Sequence, residues 1–208
     1  MTTKKTTAAT TRKKSATKKT TAAKPKVISQ KIPDLPTNPF AFEVLDAASK
    51  QRSIAKKVEV LQRYGDQSLK AIFIWNFDET AISVLPPGEV PYGNNKDDGN
   101  TTGTLSDKIG DAVGKMNQMG STSLGSNDQG RTTIRKEFGS FYNFLKGGNN
   151  SLSNLRRETM FINILEGLHP LEAEILILVK DKNLESKYKI TKDVVSQAYP
   201  DITWGGRS

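Results

Sequence analysis

The sequence has no cysteine. Disulfides, thiol nucleophiles and thiolate metal sites are excluded together. Long apolar runs are also missing: none approaches the length that spans a bilayer. The charged N-terminus has no apolar stretch behind it, so it does not read as a secretory signal. A Thr-rich, acid-free N-terminus is compatible with an organelle transit peptide, but those favour arginine where this segment is almost all lysine, so that reading carries little weight. Acidic residues are absent from residues 1–31. Histidine occurs once, as His169. No serine or carboxylate pair can be tied to it by spacing, so no catalytic triad is supported.

What the acid-free segment does contain is charge of one sign. Lys4, Lys5, Arg12, Lys13, Lys14, Lys18, Lys19, Lys24, Lys26 and Lys31 lie within residues 1–31. The remaining residues hold 21 basic against 22 acidic side chains. A nearly neutral body therefore carries a polycationic tail. Thr3-Lys4-Lys5-Thr6-Thr7-Ala8-Ala9 recurs letter for letter as residues 17–23. No large apolar side chain follows Met1 until Val27, so the segment has too little surface to bury to offset its ordering entropy. It reads as disordered. Its composition resembles the tails of linker histones and some bacterial histone-like proteins, in composition only.

The body's 3.6-residue periodicity points to helices. Asn38-Pro39 reads as a cap and first-turn proline, with Phe40, Val44, Leu45 and Ala48 facing a core. A second helix over 51–64 puts Ile54, Val58 and Leu61 on one face, and Gly65 ends it. Asp66 caps a third, with Leu69, Ile72, Phe73 and Trp75 or Asn76 at apolar spacing. Phe138, Phe141, Tyr142 and Leu145 mark a helix over 132–146. The densest apolar stretch runs from Leu152 to Leu184 and reads as two helices. In the first, Leu155, Thr159, Ile162, Leu165 and Glu166 share a face, Phe161, Ile164 and Leu168 widen the apolar stripe, and Gly167 suits the left-handed position that ends a helix. Pro170 opens the second, with Glu172 and Glu174 where the helix dipole favours negative charge. Residues 72–75 and 175–179 are also compatible with strands, which periodicity alone does not exclude. Thr191 caps a last short helix, and Trp204 lies in the tail beyond it.

Residues 86–130 differ in character. They hold nine of the sixteen glycines and few apolar side chains. Leu105, Ile109, Val113 and Met116 could mark a marginal helix, interrupted by Gly110 and Gly114. The stretch reads as a flexible insertion, and on that reading its removal leaves the stability of the body nearly unchanged.

Several motifs fail on inspection. Gly110 to Met116 resembles a phosphate loop, but the glycines are too close and Met116 stands where Ser or Thr must reach magnesium. Asp97, Asp98 and Gly99 lack the alternating ligands of a calcium loop. Phe138, Phe141, Tyr142 and Phe144 could stack on bases, but their spacing favours core packing. Arg156 and Arg157 could contact phosphate, or simply form a solvated helix end. Asp78-Glu79 reads as a solvated acidic pair. His169, beside Pro170, reads as a helix cap.

Three stretches together resemble a family of small, uncharacterised proteins of T4-like bacteriophages, cyanophages in particular. They are Asn76-Phe77-Asp78 leading to Leu85-Pro86-Pro87-Gly88 and Pro91-Tyr92; residues 141–148; and Leu155-Arg156-Arg157-Glu158-Thr159 through Val179-Lys180-Asp181-Lys182 to Ala198-Tyr199-Pro200. The resemblance covers roughly residues 38–202. It assigns no activity and no residue role. It implies a phage origin and a host-cell cytoplasmic setting, where phage DNA is abundant.

The expected fold class is all-α: a small helical domain over 38–85 and 131–204, a long Gly-rich flexible insertion at 86–130, and a disordered basic N-terminal tail over 1–31. The expected function is non-enzymatic. Nucleic acid, DNA first, would be bound without base preference through the ten cations of the tail. The helical body would serve an unidentified protein partner. No cofactor, metal ligand, catalytic residue or membrane contact is expected. The alternative is a protein–protein adaptor or virion-associated component.

Overall fold

The structure, a computed structural model, describes residues 1–2, 32–91, 103–119 and 130–206. The chain divides into two units, Met1–Gln30 and Lys31–Ser208. From residue 3 on, the expected disordered tail, with all ten of its cations, lies outside the described residues. The second unit is the helical body.

Among the described residues there is no β-strand, only an isolated bridge between Ser83 and Leu145. Both stretches that left strand open are helical. Residues 72–75 lie in α3 (Gln67–Phe77), and 175–179 lie in α7 (Pro170–Lys180). Caps set most of the boundaries. Ser53 accepts from the amide of Lys56 and starts α2 (Ile54–Tyr64). Asp66 accepts from Leu69 N at 3.0 Å and starts α3. Ser153 starts α6 (Asn154–Gly167). Between α7 and the last helix, α9 (Lys192–Ala198, capped by Thr191), sits a five-residue helix, α8 (Leu184–Tyr188), that the sequence did not announce. Its first amide is met by the buried Asn76 side chain at 3.1 Å.

Some expected starts and faces shift. The first helix, α1, is Ala41–Ser49, two residues later than the Asn38-Pro39 signal. Phe40 holds the cap position, and Glu43 reaches back to accept its amide at 2.8 Å. On α2 the buried residues are Val60 and Leu61, whereas Ile54 is exposed. On α6, Phe161, Ile162, Ile164 and Leu165 turn inward, while Leu155 and Thr159 face solvent. Gly167 ends α6 but not in a left-handed conformation. Its carbonyl instead accepts the amides of Arg131 and Thr132, tying the chain before α5 (Ile134–Glu137) to the end of α6.

The helix expected over 132–146 is one turn of α5 followed by a 3₁₀ segment, Phe138–Phe144. A 3₁₀ helix brings every third residue into line, and Phe138, Phe141 and Phe144 are spaced by three. Phe141 and Phe144 pack on Trp75 at ring distances of 5.5 and 5.9 Å, and Phe144 meets Phe161 edge-on at 5.3 Å. These aromatic side chains anchor the 3₁₀ segment to α3 and α6.

The flexible-insertion reading needs correction in its middle. Leu105–Met119 forms a helix, α4, packed on α7. Leu105, Ile109, Val113 and Met116 are all buried there. Gly110 and Gly114 have no neighbour within 4 Å of a Cβ position, so they face away from the packing surface. The glycines thus dilute helix propensity without interrupting the apolar stripe. The flanking residues 92–102 and 120–129 lie outside the described residues. α7 is the hub of the body: it packs against α1, α3, α4, α6 and α8. That explains why Ile175, Leu176 and Val179 are buried on successive sides of one helix.

Candidate functional site

All ten cations expected to bind nucleic acid lie outside the described residues, so their geometry is not described. What the body does with its own charged and aromatic residues can be read directly.

Arg157 is buried, not a solvated helix end. Its guanidinium donates to the carbonyl of Asn143 at 2.9 Å, to the side chain of Asn154 at 3.0 Å, and to the carbonyl of Asn149. Asn149 donates in turn to the Asn143 side chain at 2.8 Å. The group fixes the turn between the 3₁₀ segment and α6. Arg156, by contrast, is exposed. Of the aromatic residues, Phe141 and Phe144 are in the core and Tyr142 is half exposed, at 52%. Gly110 to Met116 lies within α4, where backbone amides serve the helix rather than a phosphate. The expected cap role of His169 is observed: its Nδ1 accepts from Leu171 N at 3.2 Å, and its ring stacks on Phe42 at 5.0 Å.

The densest polar cluster surrounds Glu172 in the first turn of α7. This carboxylate is 1% exposed. One oxygen accepts from Ala41 N at 3.2 Å and the other from Ile134 N at 3.0 Å. A single side chain so satisfies free amides at the starts of α1 and α5. Burial pushes its pKa above the usual 4.5, against the pull of the two amides and of the Arg135 charge. Arg135 donates to Asp66 and, at 3.0 Å, to the carbonyl of Pro39. Burial alone would raise the Asp66 pKa; hydrogen bonds from Ser68, Arg135 and the amide of Leu69 outweigh it and hold the group below its usual 3.8. These residues line an open cavity of about 350 Å³ with Phe40, Tyr64 and Lys136. Both oxygens of Glu172 are already engaged, and Asp66 and Arg135 engage each other. What the cluster does in this structure is join helix ends.

Two further buried charges work the same way. Lys180 donates to the carbonyls of Pro86 and Gly88, both at 2.9 Å, and pairs with Asp181. Asp78 is not solvated, as its pairing with Glu79 suggested, but 1% exposed. It accepts from Thr80 at 2.7 Å and from Gly205 N at 3.1 Å, which holds the C-terminal segment. Little of this is visible in local spacing, because most partners are distant in sequence; Thr80 and Asp181, within two residues of Asp78 and Lys180, are the local ones. The nearest signal is a charged side chain on an otherwise apolar helix, as with Glu172 and Lys180 on α7.

Among the described residues, no group of three or more His, Asp or Glu side chains could hold a metal ion. No described helix is long and apolar enough to cross a membrane. A family model described as a family of unknown function, DUF6433, matches residues 44–109 and 120–186. No curated protein and no solved structure matches the chain.

Proposed function

The chain belongs to DUF6433, a family of unknown function, and from that premise we propose that it is a non-enzymatic accessory protein that binds nucleic acid without base preference. The segregation of charge carries the reading. Ten cations and no acid lie within residues 1–31, and the rest of the chain is close to neutral. Each lysine that meets a phosphate releases condensed counterions, a gain that does not depend on sequence. A membrane partner is less well served, because stable anchoring needs an apolar or lipid signal beside the cations. The helical body acts as the interaction module. The proposed setting is a phage-infected cell, in its cytoplasm or associated with the virion, supported by the resemblance of residues 38–202 to phage proteins.

The test is a salt titration on mixed-sequence duplex with full-length protein and with a chain lacking residues 1–31. Engagement of six to ten phosphates makes affinity fall roughly 10³–10⁵-fold between about 50 and 200 mM salt. Removal of the arm is expected to take away most of the affinity and of the slope while leaving the helical body folded. Equal affinity and equal slope for the two chains would overturn the arm's role. Absence of binding by both would favour the adaptor reading, for which half-exposed Tyr142 and exposed Leu155 are candidate contacts.

A further inference from the structure

The near neutrality of the body conceals an uneven surface. Lys50, Arg63, Lys70, Arg135, Lys180 and Lys187 are neutralised by acidic partners. No described ion pair takes up Arg52, Lys57, Lys189 or Lys192. These four come from two distant parts of the chain, which the fold joins where Lys57 meets Lys189. Helices α2 and α9 pack side by side and run in the same direction. At one end Tyr199 donates to the carbonyl of Leu61 at 2.7 Å, and Gln62 donates to the carbonyl of Ala198. At the other end Lys57 Nζ donates to the carbonyl of Lys189 at 2.5 Å. Lys189 adopts a left-handed backbone, φ 51°, between α8 and the cap of α9. Lys192, the first residue of α9, holds its ammonium 5.1 Å from the Trp204 ring centroid. Arg52, just ahead of α2, is exposed, as are Lys189 and Lys192. Asp193, Glu185 and Glu59 are the acids nearest in sequence, and none forms a described ion pair with the four.

We propose that Arg52, Lys57, Lys189 and Lys192 form a second phosphate-contacting surface, on which the helical body meets the same nucleic-acid backbone as the N-terminal arm. The inference rests on the nucleic-acid reading above. It fits where the arm joins the body. Pro33 and Leu35, which follow the arm closely in sequence, line a cavity of about 490 Å³ whose other walls include Lys50, Lys187 and Tyr188. Lys187 and Tyr188 lead directly into Lys189. Two weak cationic contacts linked through one chain reinforce each other, because binding of the first raises the local concentration of the second. The cations of the arm can meet any polyanion; a fixed cluster adds a defined orientation of the body on it.

The experiment uses the full chain and mixed-sequence duplex. In one variant Arg52, Lys57, Lys189 and Lys192 are all changed to Gln; in another, Arg52→Lys is combined with Lys57→Arg, Lys189→Arg and Lys192→Arg. The Gln variant should lose about 3–4 units of salt slope, roughly 0.9 for each phosphate contact removed, and the charge-conserving variant should keep the wild-type slope. Trp204 provides a local reporter, since the other tryptophan, Trp75, is buried in the core. Duplex should change the fluorescence of the wild type and not that of Trp204→Phe. A wild-type slope in the Gln variant overturns the proposal, as does an equal loss in the charge-conserving variant. If deleting residues 1–31 abolishes binding while the Gln variant is unchanged, the arm stands and this surface falls. Unchanged binding without the arm, together with a slope lost in the Gln variant, gives the reverse.

Discussion

Two kinds of glycine show how much a single residue can decide. A Cβ at Gly65 would stand 1.7 Å from the Tyr199 hydroxyl oxygen and 2.4 Å from the Leu61 carbonyl oxygen. That hydroxyl donates to the same carbonyl, so the α2–α9 seam closes only over a hydrogen side chain. Gly65→Ala should cost about 1–3 kcal/mol, as overpacking does. Gly110→Ala and Gly114→Ala meet nothing and should each stabilise by about 0.5–1 kcal/mol, chiefly by improving helix propensity. Denaturant unfolding of the three variants checks both signs. Glu172 adds a pH dependence. Its folded pKa is raised above 4.5, so its contribution to stability is fully present below about pH 4.5 and is lost as pH rises through the folded value. Glu172→Gln removes that titration. Relative to the variant, the wild type should gain stability as pH falls from neutral towards about 4.5, and a difference constant over that range would sink the assignment. Asp66 does not interfere: its pKa is depressed, so its contribution is lost only as pH falls through values below 3.8. At this scale the sequence was legible where partners are local, as for the Asp66, His169 and Thr191 caps. It placed Glu172 in the first turn of its helix but gave no sign of its two amide donors, which lie 131 and 38 residues away.

At the scale of elements, α4 is the instructive case. Composition over 86–130 is glycine-rich and polar, and an average over that window conceals a helix within it. Leu105, Ile109, Val113 and Met116 fall at i, i+4, i+8 and i+11, a complete apolar stripe, and all four are buried. Spacing along one face outweighs composition because burial is decided face by face. Deleting residues 93–128 should therefore lower the melting temperature clearly, contrary to what a flexible insertion would give. Ile109→Ala alone should cost about 2–4 kcal/mol, the range for emptying a buried aliphatic site. An unchanged melt for both would show that α4 contributes nothing to the core. The 3₁₀ segment teaches the converse. Phe138, Phe141, Tyr142 and Leu145 suggested an α-helix because i, i+3, i+4 and i+7 share an α-helical face. Phe138, Phe141 and Phe144, two successive steps of three, are instead in the register of a 3₁₀ helix, and the aromatic contacts with Trp75 and Phe161 hold it there. Strand and helix could not be told apart at 72–75 and 175–179 because both stretches are buried on most sides, which removes the polar face that reveals a period.

For the whole molecule, charge is more informative than shape. The sequence alone separates a cationic arm from a balanced body, but it does not show which body cations are neutralised, because most of those pairings are long-range. Lys70 meets Asp201, Arg135 meets Asp66 and Lys187 meets Glu174 only in the fold. The proposed arm leads to a quantitative expectation. Its residues are Thr, Lys, Ala and Ser almost throughout, with an internal repeat and no large apolar side chain between Met1 and Val27. Such a segment has charge to offer and little else, so contacts should depend on how many cations remain and not on which ones. Changing Lys4, Lys5, Lys18 and Lys19 to Gln removes the paired lysines of both repeats. Changing Lys13, Lys14, Lys24 and Lys26 to Gln spares them. Each set should flatten the salt slope by about 3–4 units, at roughly 0.9 per lost phosphate contact, and the two losses should agree. Binding to duplexes of different base composition should fall in parallel, because no base edge is read. A large loss from one set beside none from the other would mean that defined positions of the arm dock on a defined partner. That outcome would replace counterion release with specific recognition and would point to a protein rather than a nucleic acid.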